Sequence, residues 1–287
     1  MSNTVKIIEC PRDAMQGIKA FIPTEKKVQY LQSLLRVGFD TIDFGSFVSP
    51  KAIPQMVDTA NVLSQLDLSN TKSKLLAIIA NVRGAEDASK HKPIQYLGYP
   101  FSISENFQMR NTHKTIAQSV VTLKEILEIA DKSNKEVVVY ISMGFGNPYG
   151  DPWSVEIVGE WTERLANMGV KILSLSDTVG TSNPENIDYL FSNLIPKYPN
   201  VEFGAHLHTT PTTWFEKVDA AYNAGCRRFD GAIQGFGGCP MAKDDLTGNM
   251  PTEKLLSYMT SKKASDLQAM SFESAYNEAT KIFSTYH

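Results

Sequence analysis

Residues 201 to 206 read Val-Glu-Phe-Gly-Ala-His, and they are followed by a helical pattern from about Thr212 and by a second apolar-rich run, Arg228–Ala232. Each run is short and bounded by turn residues, which is typical of a buried strand. Gly225 precedes the second run, at the position where a glycine usually ends a helix. A strand, a helix and a strand in this order predict a βαβ unit with parallel strands.

The same alternation repeats along the whole chain. The predicted strands are Val5–Cys10, Thr41–Gly45, Lys74–Ala80, Ile94–Gly98, Glu136–Ser142, Lys171–Ser176, Val201–His206 and Arg228–Ala232. The helices between them are predicted to begin near Thr24, Pro54, Gly84, Thr112, Pro152, Asn183, Thr212 and Pro251. Eight strand–helix units in this length favour a closed (β/α)8 TIM barrel of the α/β class. An open doubly wound sheet is the alternative, which the absence of Gly-x-Gly-x-x-Gly after the first strand weakens.

The C-terminal segment predicts one more element. From about Ser271 to Thr285 an amphipathic pattern indicates an additional C-terminal helix, whose apolar face would cover the barrel or a partner subunit. No Pro/Ser-rich linker divides the chain, so we expect residues 1–287 to form a single domain.

Composition excludes several function classes. Of the 287 residues, 42% are hydrophobic and 21% charged, with a net charge of −3, so there is no electrostatic footprint for nucleic acid. No apolar run approaches the roughly 20 residues that span a bilayer. The first strand begins almost directly after Met1, which predicts no secretory signal. Three cysteines without C-x-x-C spacing fit a reducing, cytoplasmic location.

Polar residues cluster where the predicted strands end. In a TIM barrel these ends meet at one rim, where catalytic sites lie. Taken singly, Asp177 or Asn249 would be read as a cap or turn residue. The whole set is harder to explain that way. Its members are Arg12, Asp13, Gln16, Asp43, Ser142, Asp177, Thr178, His206, His208, Cys239 and Asn249.

Two histidines of this set suggest a metal site. Because side chains alternate along a strand, His206 and His208 point to the same side. With the carboxylate of Asp13 and the amide of Asn249 they form a nitrogen and oxygen ligand set that suits Mg, Mn, Co or Zn. The alternative is a pair of surface or hydrogen-bonded histidines without an ion.

Arg12 and Cys239 are the remaining candidates for chemistry. Arg12 would place a permanent cation beside the metal, which suits a reaction that develops an enolate oxyanion, although a salt bridge to a neighbouring carboxylate is the alternative. Cys239 lies in the loop Gly235-Phe236-Gly237-Gly238-Cys239-Pro240, which is poorly suited to core packing, so we expect a chemical role. Cys10 and Cys226 fit burial as small apolar residues.

Several motifs together resemble the 3-hydroxy-3-methylglutaryl-CoA lyases. They occur in order from about residue 5 to 260, and the Arg-Asp-x-x-Gln start is shared with a wider superfamily. The motifs are Val-Lys-Ile-Ile-Glu-Cys-Pro-Arg-Asp-Ala-Met-Gln at 5–16, Ser-Phe-Val-Ser-Pro-Lys at 46–51, Ser-Asp-Thr-Val-Gly at 176–180, His-Leu-His at 206–208, Gly-Phe-Gly-Gly-Cys-Pro at 235–240 and Gly-Asn-Met-Pro-Thr-Glu at 248–253.

The resemblance implies a function and a set of roles. It implies a TIM barrel that uses a divalent cation, usually Mg or Mn, to cleave 3-hydroxy-3-methylglutaryl-CoA into acetyl-CoA and acetoacetate, as in leucine degradation and ketone body formation. It also implies an acyl-CoA substrate and a homodimer. The family's metal ligands fall on Asp13, His206, His208 and Asn249, and its catalytic arginine, acid and cysteine fall on Arg12, Asp43 and Cys239.

The remaining candidates concern proton transfer and substrate contacts. We expect Asp13 or His206 to act as the base and Cys239 to donate a proton to the enolate. Candidates for substrate contact are Arg12, Gln16, Ser142, Asp177 and Thr178, with Asn106, Arg110 and His113 near the mouth of the barrel.

The chain departs from the lyase pattern in three places. Asp43 stands where the lyases have Glu, Thr209 replaces the usual Asp after the second histidine, and the loop from Ser142 to Tyr149 lacks the usual cysteine. Two alternatives therefore stay open, an enzyme that condenses an acyl-CoA with a 2-oxo acid and a barrel that binds a ligand without chemistry.

Overall fold

The eight predicted strands close into a barrel. The structure, a computed structural model, describes residues 4–238, 247–265, 267 and 269–286. Within these residues the strands are β1 (Lys6–Glu9), β2 (Thr41–Ser46), β3 (Lys74–Ile78), β4 (Ile94–Ser102), β5 (Glu136–Ser142), β6 (Ile172–Ser176), β7 (Glu202–His206) and β8 (Arg228–Gly231). They pair in chain order, all in parallel, and β8 returns to β1 with Lys6 opposite Arg228. The (β/α)8 TIM barrel is confirmed.

Helices connect the strands on the outside of the barrel. In the described part of the chain they are α1 (Pro11–Gln16), α2 (Thr24–Leu35), α3 (Thr59–Gln65), α4 (Val82–Ser89), α5 (Glu105–Thr112), α6 (Ile116–Lys132), α7 (Val155–Asn167), α8 (Pro184–Lys197), α9 (Trp214–Asn223), α10 (Thr252–Ser261) and α11 (Ala269–Tyr286), with 3-10 turns at Pro54–Met56 and Ile233–Gly235. None of the described helices has both the length and the apolar character to span a bilayer.

Side-chain caps explain where several helices begin. Thr115 and Gln118 form a capping box at the start of α6, and Asn183 accepts a hydrogen bond from the backbone N–H of Asn186 at the start of α8. These bonds satisfy N–H groups that have no partner within the helix. Pro184 follows Asn183 at the first helical position, where its missing N–H costs nothing.

The strands are buried on both faces because the helices cover the outside and side chains fill the inside. All six residues of β2 are buried. Most of the core lies between the barrel and its helices, and a smaller apolar cluster lies inside the barrel. The members of this inner cluster are Leu76, Tyr96, Val138, Tyr140 and Ile172.

The additional C-terminal helix is also confirmed. The ring of Phe283 on α11 stacks on Phe236, with 4.2 Å between the ring centroids, and meets Tyr30 of α2 edge-on at 6.2 Å. Ala275 and Ala279 of the same helix are fully buried. The apolar face of α11 therefore covers this chain's own helices and the segment that leads out of β8.

Two short helices were not predicted, and both contain candidate site residues. Helix α1 follows β1 almost directly, since Pro11 starts the helix where a loop would be expected. Helix α5 is capped by Ser104 and ends at His113, whose φ of 55° breaks the chain before α6. The predicted helix start near Thr112 is therefore wrong, because Thr112 ends α5 and Thr115 caps α6.

Candidate active site

A cavity of about 340 Å³ opens at the C-terminal ends of the barrel strands. Of the predicted site residues in its wall, three come from α1, one comes from β2, and the others come from the ends of β5, β6 and β7. The predicted site residues that line this cavity are Arg12, Asp13, Gln16, Asp43, Ser142, Thr178, His206 and His208.

Three predicted metal ligands lie together. Ligand atoms of Asp13, His206 and His208 are all within 4.8 Å of one another. The two imidazole rings are 5.4 Å apart between centroids, on the same side of the strand end, as the period-2 argument predicted. A carboxylate and two imidazoles in one buried pocket fit a divalent cation by the chemistry of the donor set.

Asn249 adjoins this group. Its Nδ2 donates to Asp13 Oδ2 at 2.7 Å and to the carbonyl oxygen of Phe236 at 2.9 Å, so both amide protons are used and Oδ1 is left as an acceptor. Gly237 makes this packing possible. Its φ is +97°, and a Cβ there would lie 2.7 Å from Asn249 Nδ2 and from the carbonyl oxygen of Asp13.

Arg12 bridges two carboxylates at the cavity wall. Its Nη1 donates to Asp13 Oδ1 at 2.9 Å, and its Nε and Nη2 both donate to Asp43 Oδ2, at 3.0 and 2.5 Å. Gln16 Nε2 also donates to Asp13 Oδ1, at 2.6 Å. The predicted salt bridge and the predicted placement at the site are thus both observed, because the guanidinium pairs with carboxylates and still faces the cavity.

The two carboxylates titrate differently. Burial is the largest influence on Asp13 and would raise its pKa, but the charges of Arg12 and His206 and the hydrogen bond from Asn249 outweigh burial and lower the pKa. Burial raises the pKa of Asp43 to about 6, against the opposing charge of Arg12. Asp43 is therefore the carboxyl of this pair that changes protonation closer to neutrality.

The two histidines also differ. Burial lowers the pKa of His208 to about 4, with a smaller contribution from the charge of His206. His208 is thus a neutral imidazole at neutral pH, which is the form that binds a metal. Burial alone would lower the pKa of His206, but a hydrogen bond to Asp230 and the charge of Asp230 raise it.

Thr178 and Ser142 form a polar part of the wall. Thr178 Oγ1 accepts a hydrogen bond from the backbone N–H of Met143 at 2.9 Å. Met143 directly follows Ser142 and has a φ of 59°, so this bond holds the turn at the end of β5 in an uncommon conformation.

Two predicted substrate contacts are not supported by the geometry. Asp177 is absent from the cavity wall, since its carboxylate accepts from Lys217 Nζ at 2.8 Å and from the backbone N–H of Ser182 at 3.0 Å. Asn106 donates to Asp151 at 2.6 Å and is also outside the wall. Arg110 and His113 do line the cavity, near its mouth. Cys239 lies outside the described residues.

Thr209, which stands where the lyase pattern has Asp, is buried beside Met250 and Gly248. Its hydroxyl faces Met250 Sδ at 3.9 Å, and its backbone N–H donates to the carbonyl oxygen of Gly248 at 2.9 Å. A threonine in this buried place supplies no carboxylate beside His208.

Asp230 and Arg228 were missed by the sequence reasoning. Asp230 Oδ2 lies 3.1 Å from His206 Nδ1, and Arg228 is buried on the same strand, β8. One feature of the sequence could have indicated them. Both are charged and lie two residues apart in a strand that was expected to be buried on both faces, where unpaired charges are rare.

Comparisons with known proteins agree with this geometry. The family model described as HMGL-like matches residues 4–278. A hydroxymethylglutaryl-CoA lyase of Bacillus subtilis is 32% identical over 246 residues, which cover 86% of this chain and 81% of the relative. The crystal structure of the Bacillus subtilis HMG-CoA lyase superposes with a TM-score of 0.90 at 30% identity, covering 98% of this chain and 95% of that one.

A third comparison includes ligands. The structure of an HMG-CoA lyase from Acinetobacter baumannii in complex with coenzyme A and 3-methylmalate superposes with a TM-score of 0.88 at 28% identity, covering 96% of this chain and 90% of that one. The match of sequence family and barrel extends over nearly the whole chain. The chain therefore belongs to the HMGL-like family and is a lyase.

Proposed function

We propose that this lyase cleaves 3-hydroxy-3-methylglutaryl-CoA, or a closely similar 3-hydroxyacyl-CoA, to acetyl-CoA and acetoacetate with the help of a divalent cation. The observation that carries the proposal is the convergence of Asp13, His206 and His208 within 4.8 Å, beside Arg12, in one cavity. Relatives that are named hydroxymethylglutaryl-CoA lyases support the choice of substrate.

The cation would be held by Asp13, His206, His208 and Asn249. Mg or Mn is the proposed ion, with Zn or Co as alternatives for the same ligand set. When bound, a divalent cation would polarise the substrate's 3-hydroxyl and carboxylate oxygens and lower the pKa of the hydroxyl. One carboxylate against two positive charges leaves about one positive charge for an anionic oxygen.

Arg12 is the proposed partner of the developing enolate. As the C2–C3 bond of the substrate breaks, the electron pair moves onto the thioester and leaves negative charge on its oxygen. The guanidinium is fixed by Asp43 and Asp13 through several hydrogen bonds, so it is oriented before the charge appears. The short side chain of Asp43 still reaches Arg12 in this geometry.

Asp43 is the better candidate for the base. The expectation was Asp13 or His206, but Asp13 is a proposed ligand with a lowered pKa and accepts from three side chains, Arg12, Gln16 and Asn249. Among the described residues, Asp43 accepts from Arg12 alone. His206 has its Nδ1 engaged with Asp230 and is a proposed ligand. Asp43 lines the cavity with a pKa raised to about 6 by burial, which suits the uptake of the hydroxyl proton near neutral pH.

The remaining steps are cleavage of the C2–C3 bond and protonation of the enolate. Loss of the hydroxyl proton and of the C2–C3 bond gives the carbonyl of acetoacetate and the enolate of acetyl-CoA. A proton delivered to C2 then gives acetyl-CoA, and Cys239 is the proposed donor from the resemblance. Ser142 and Thr178 are proposed to contact the acyl group, and Arg110 and His113 to contact the CoA portion near the mouth.

The context of the enzyme is also proposed. Cys10 and Cys226 are both unpaired and buried, which suits a reducing, cytoplasmic compartment. We propose that residues 1–287 act as one domain and that the protein forms a homodimer. Size-exclusion chromatography with light scattering would measure the mass against the 31.8 kDa of one chain.

The direct test is product analysis. Purified protein with 3-hydroxy-3-methylglutaryl-CoA and Mn²⁺ or Mg²⁺ should release acetoacetate and acetyl-CoA in equal amounts. A chelator should stop the reaction, and excess metal should restore it. Release of free CoA from acetyl-CoA and a 2-oxo acid would favour the condensing alternative. No acetoacetate from folded, metal-loaded protein would refute the proposal.

A further inference from the structure

We propose that Asp230, supported by Arg228, is a positioning residue that keeps the imidazole proton of His206 on Nδ1 and thereby presents the Nε2 lone pair to the ligand group. The inference rests on the proposed function, because it assigns His206 to a metal site. Asp230 and Arg228 form a buried layer inside the barrel, beneath the residues that line the cavity.

The position of the two residues in β8 is the first support. Arg228 and Asp230 are two residues apart on one strand, so their side chains share a face. Asp230 is opposite Ile8 and Arg228 is opposite Lys6 in the pairing with β1. Arg228 is therefore about 6.6 Å further from the catalytic end of the barrel than Asp230. Both are at most 2% exposed.

The hydrogen bond to His206 determines the tautomer. Asp230 Oδ2 lies 3.1 Å from His206 Nδ1. An ionised carboxylate has no proton to donate, so the imidazole must donate from Nδ1. In a neutral ring the other nitrogen, Nε2, then carries a lone pair and no proton. This is the nitrogen left for the group of Asp13, His206 and His208.

A second contact restrains the same ring. The ring of Tyr140 meets the ring of His206 edge-on, with 5.7 Å between centroids and 82° between the planes. With Nδ1 held from one side by Asp230, this contact limits rotation of the imidazole. The ring is therefore oriented before any ion binds, which is how outer partners of metal ligands raise affinity.

Arg228 places a permanent cation in the same buried layer as the carboxylate of Asp230. Among the described residues, the charge of Asp230 does most to raise the pKa of Arg228, whose Nη1 donates to Glu202 Oε1 at 3.3 Å. Nε and Nη2 of Arg228 and Oδ1 of Asp230 have no hydrogen-bond partner in the described part of the chain. A buried cation and a buried anion on the same face of one strand compensate each other, whereas either one alone would be costly.

The backbone of β7 leaves room for the aliphatic part of the Arg228 side chain. A Cβ on Gly204 would be 3.1 Å from Cδ of Arg228 and 3.2 Å from Ser174 Oγ. The arginine side chain thus crosses directly over the bare glycine inside the barrel. Ser174 Oγ also has no described partner, so Ser174 is a buried polar residue next to Arg228 but not bonded to His206.

One competing arrangement uses the same atoms. Cys10 offers its Sγ within 4.8 Å of His206 and Asp230, so this trio is a second group that has the composition of a metal site. An ion there would occupy Nδ1 and would have to displace its proton. The two arrangements are mutually exclusive at Nδ1, and the location of the proton separates them.

The experiment reads the tautomer in metal-free protein. The sequence has five histidines, so histidine-selective ¹⁵N labelling gives a spectrum with few signals. The signals that are missing in His206→Gln are those of the His206 ring. At about pH 9, where imidazoles are neutral, two-bond ¹H–¹⁵N correlations distinguish Nδ1–H from Nε2–H. In the wild type we expect the proton of His206 on Nδ1. In Asp230→Asn we expect it on Nε2, because the new amide can donate to Nδ1. The control Ser174→Ala should have the same tautomer as the wild type.

The same proteins are then titrated with Mn²⁺. Asp230→Asn should bind Mn²⁺ about 10–100-fold more weakly than the wild type, the usual cost of losing an outer partner of a ligating histidine, and Ser174→Ala should bind unchanged. Cd²⁺ should give no thiolate absorption band that depends on Cys10, since Cys10 is not a ligand.

The outcomes separate this inference from the proposed function. Wild type that binds no Mn²⁺ but carries the proton on Nδ1 refutes the metal site and leaves the positioning by Asp230 standing. Wild type that binds Mn²⁺ but carries the proton on Nε2, or a Cd²⁺ thiolate band that disappears in Cys10→Ser, overturns the positioning role. If Asp230→Asn does not fold, the tautomer of the wild type decides.

Discussion

Arg12 contacts both Asp13 and Asp43, so it links the proposed ligand group to the proposed base. We predict that Arg12→Gln lowers kcat by about a hundredfold or more, by analogy with the loss of an oxyanion donor. Steady-state kinetics with 3-hydroxy-3-methylglutaryl-CoA measures the change. Arg83→Gln is the control, because Arg83 is largely exposed and, among the residues that the structure describes, pairs only with Asp87 at 3.7 Å. Near-normal turnover in Arg12→Gln would remove Arg12 from the mechanism.

Glu9 provides a second prediction at the residue scale. It is fully buried at the end of β1, where it accepts hydrogen bonds from the backbone N–H of Ile233 and from Thr252 Oγ1. Burial raises the pKa of Glu9 to about 8, and hydrogen bonds oppose this shift only in part. A protonated Glu9 can still satisfy both neighbours by donating to the threonine hydroxyl.

The raised pKa of Glu9 determines how the free energy of unfolding changes with pH. The folded state binds the Glu9 proton more tightly than the unfolded state, whose pKa is about 4.5. The contribution of Glu9 to the free energy of unfolding is therefore fully present below about pH 4.5 and is lost as the pH rises through about 8. We predict that Glu9→Gln, which cannot lose a proton, becomes progressively more stable than the wild type between these limits. Urea unfolding at several pH values measures this, and a constant difference would contradict the shift.

The predicted site residues that the structure brings together at the rim have a common feature. Asp43 lies within β2, His206 ends β7, and Asp13 and His208 come shortly after strand ends, so the local strand pattern indicates where they lie. Asp177 also follows a strand, but whether its carboxylate faces the cavity or Lys217 depends on a helix distant in sequence. Asp230 is within a strand, and its contact with His206 depends on barrel closure, which no local pattern encodes.

At the scale of elements, α11 is the segment whose packing is easiest to test. Phe283 is 2% exposed and contacts rings on two other parts of the chain, Phe236 and Tyr30. We predict that Phe283→Ala lowers the free energy of unfolding by about 3–5 kcal/mol, the range for a buried aromatic residue. Met270→Ala on the same helix, at an 88% exposed residue, should change it little.

Denaturant unfolding of these two variants distinguishes the possible roles of α11. Equal stabilities would mean that the helix does not pack on this chain in solution. A large loss in Phe283→Ala that grows on dilution would point instead to a partner subunit as the covering surface, because the stability of a dimer depends on concentration.

The elements themselves were predicted well where periodicity and caps agreed. Strand β5 has the predicted bounds, and helices α2 and α8 begin within one residue of the predicted starts. Predictions failed where two short helices replaced what looked like loops, at α1 and α5. Both are six to eight residues long, too short for a periodic pattern to emerge.

At the scale of the whole molecule, barrel closure creates the site. Asn249 and Asp13 are 236 residues apart in the sequence, and their side chains meet at 2.7 Å because β8 pairs with β1. The sequence indicated which residue types would meet at the rim, through the strand ends and the family motifs. It did not indicate how the amide of Asn249 is turned or that Arg12 would bind both carboxylates, because these depend on packing across the closed barrel.

Calorimetric titration of metal-free protein with Mn²⁺ is the most direct test of the proposed metal site. The account predicts one ion per chain for the wild type, and binding that is lost or strongly weakened in His208→Ala while circular dichroism shows an intact fold. His91→Ala is the matched control, because the ring of His91 packs on Phe47 and lies outside the cavity wall. Unchanged Mn²⁺ affinity in His208→Ala, or no binding by the wild type, would contradict the account.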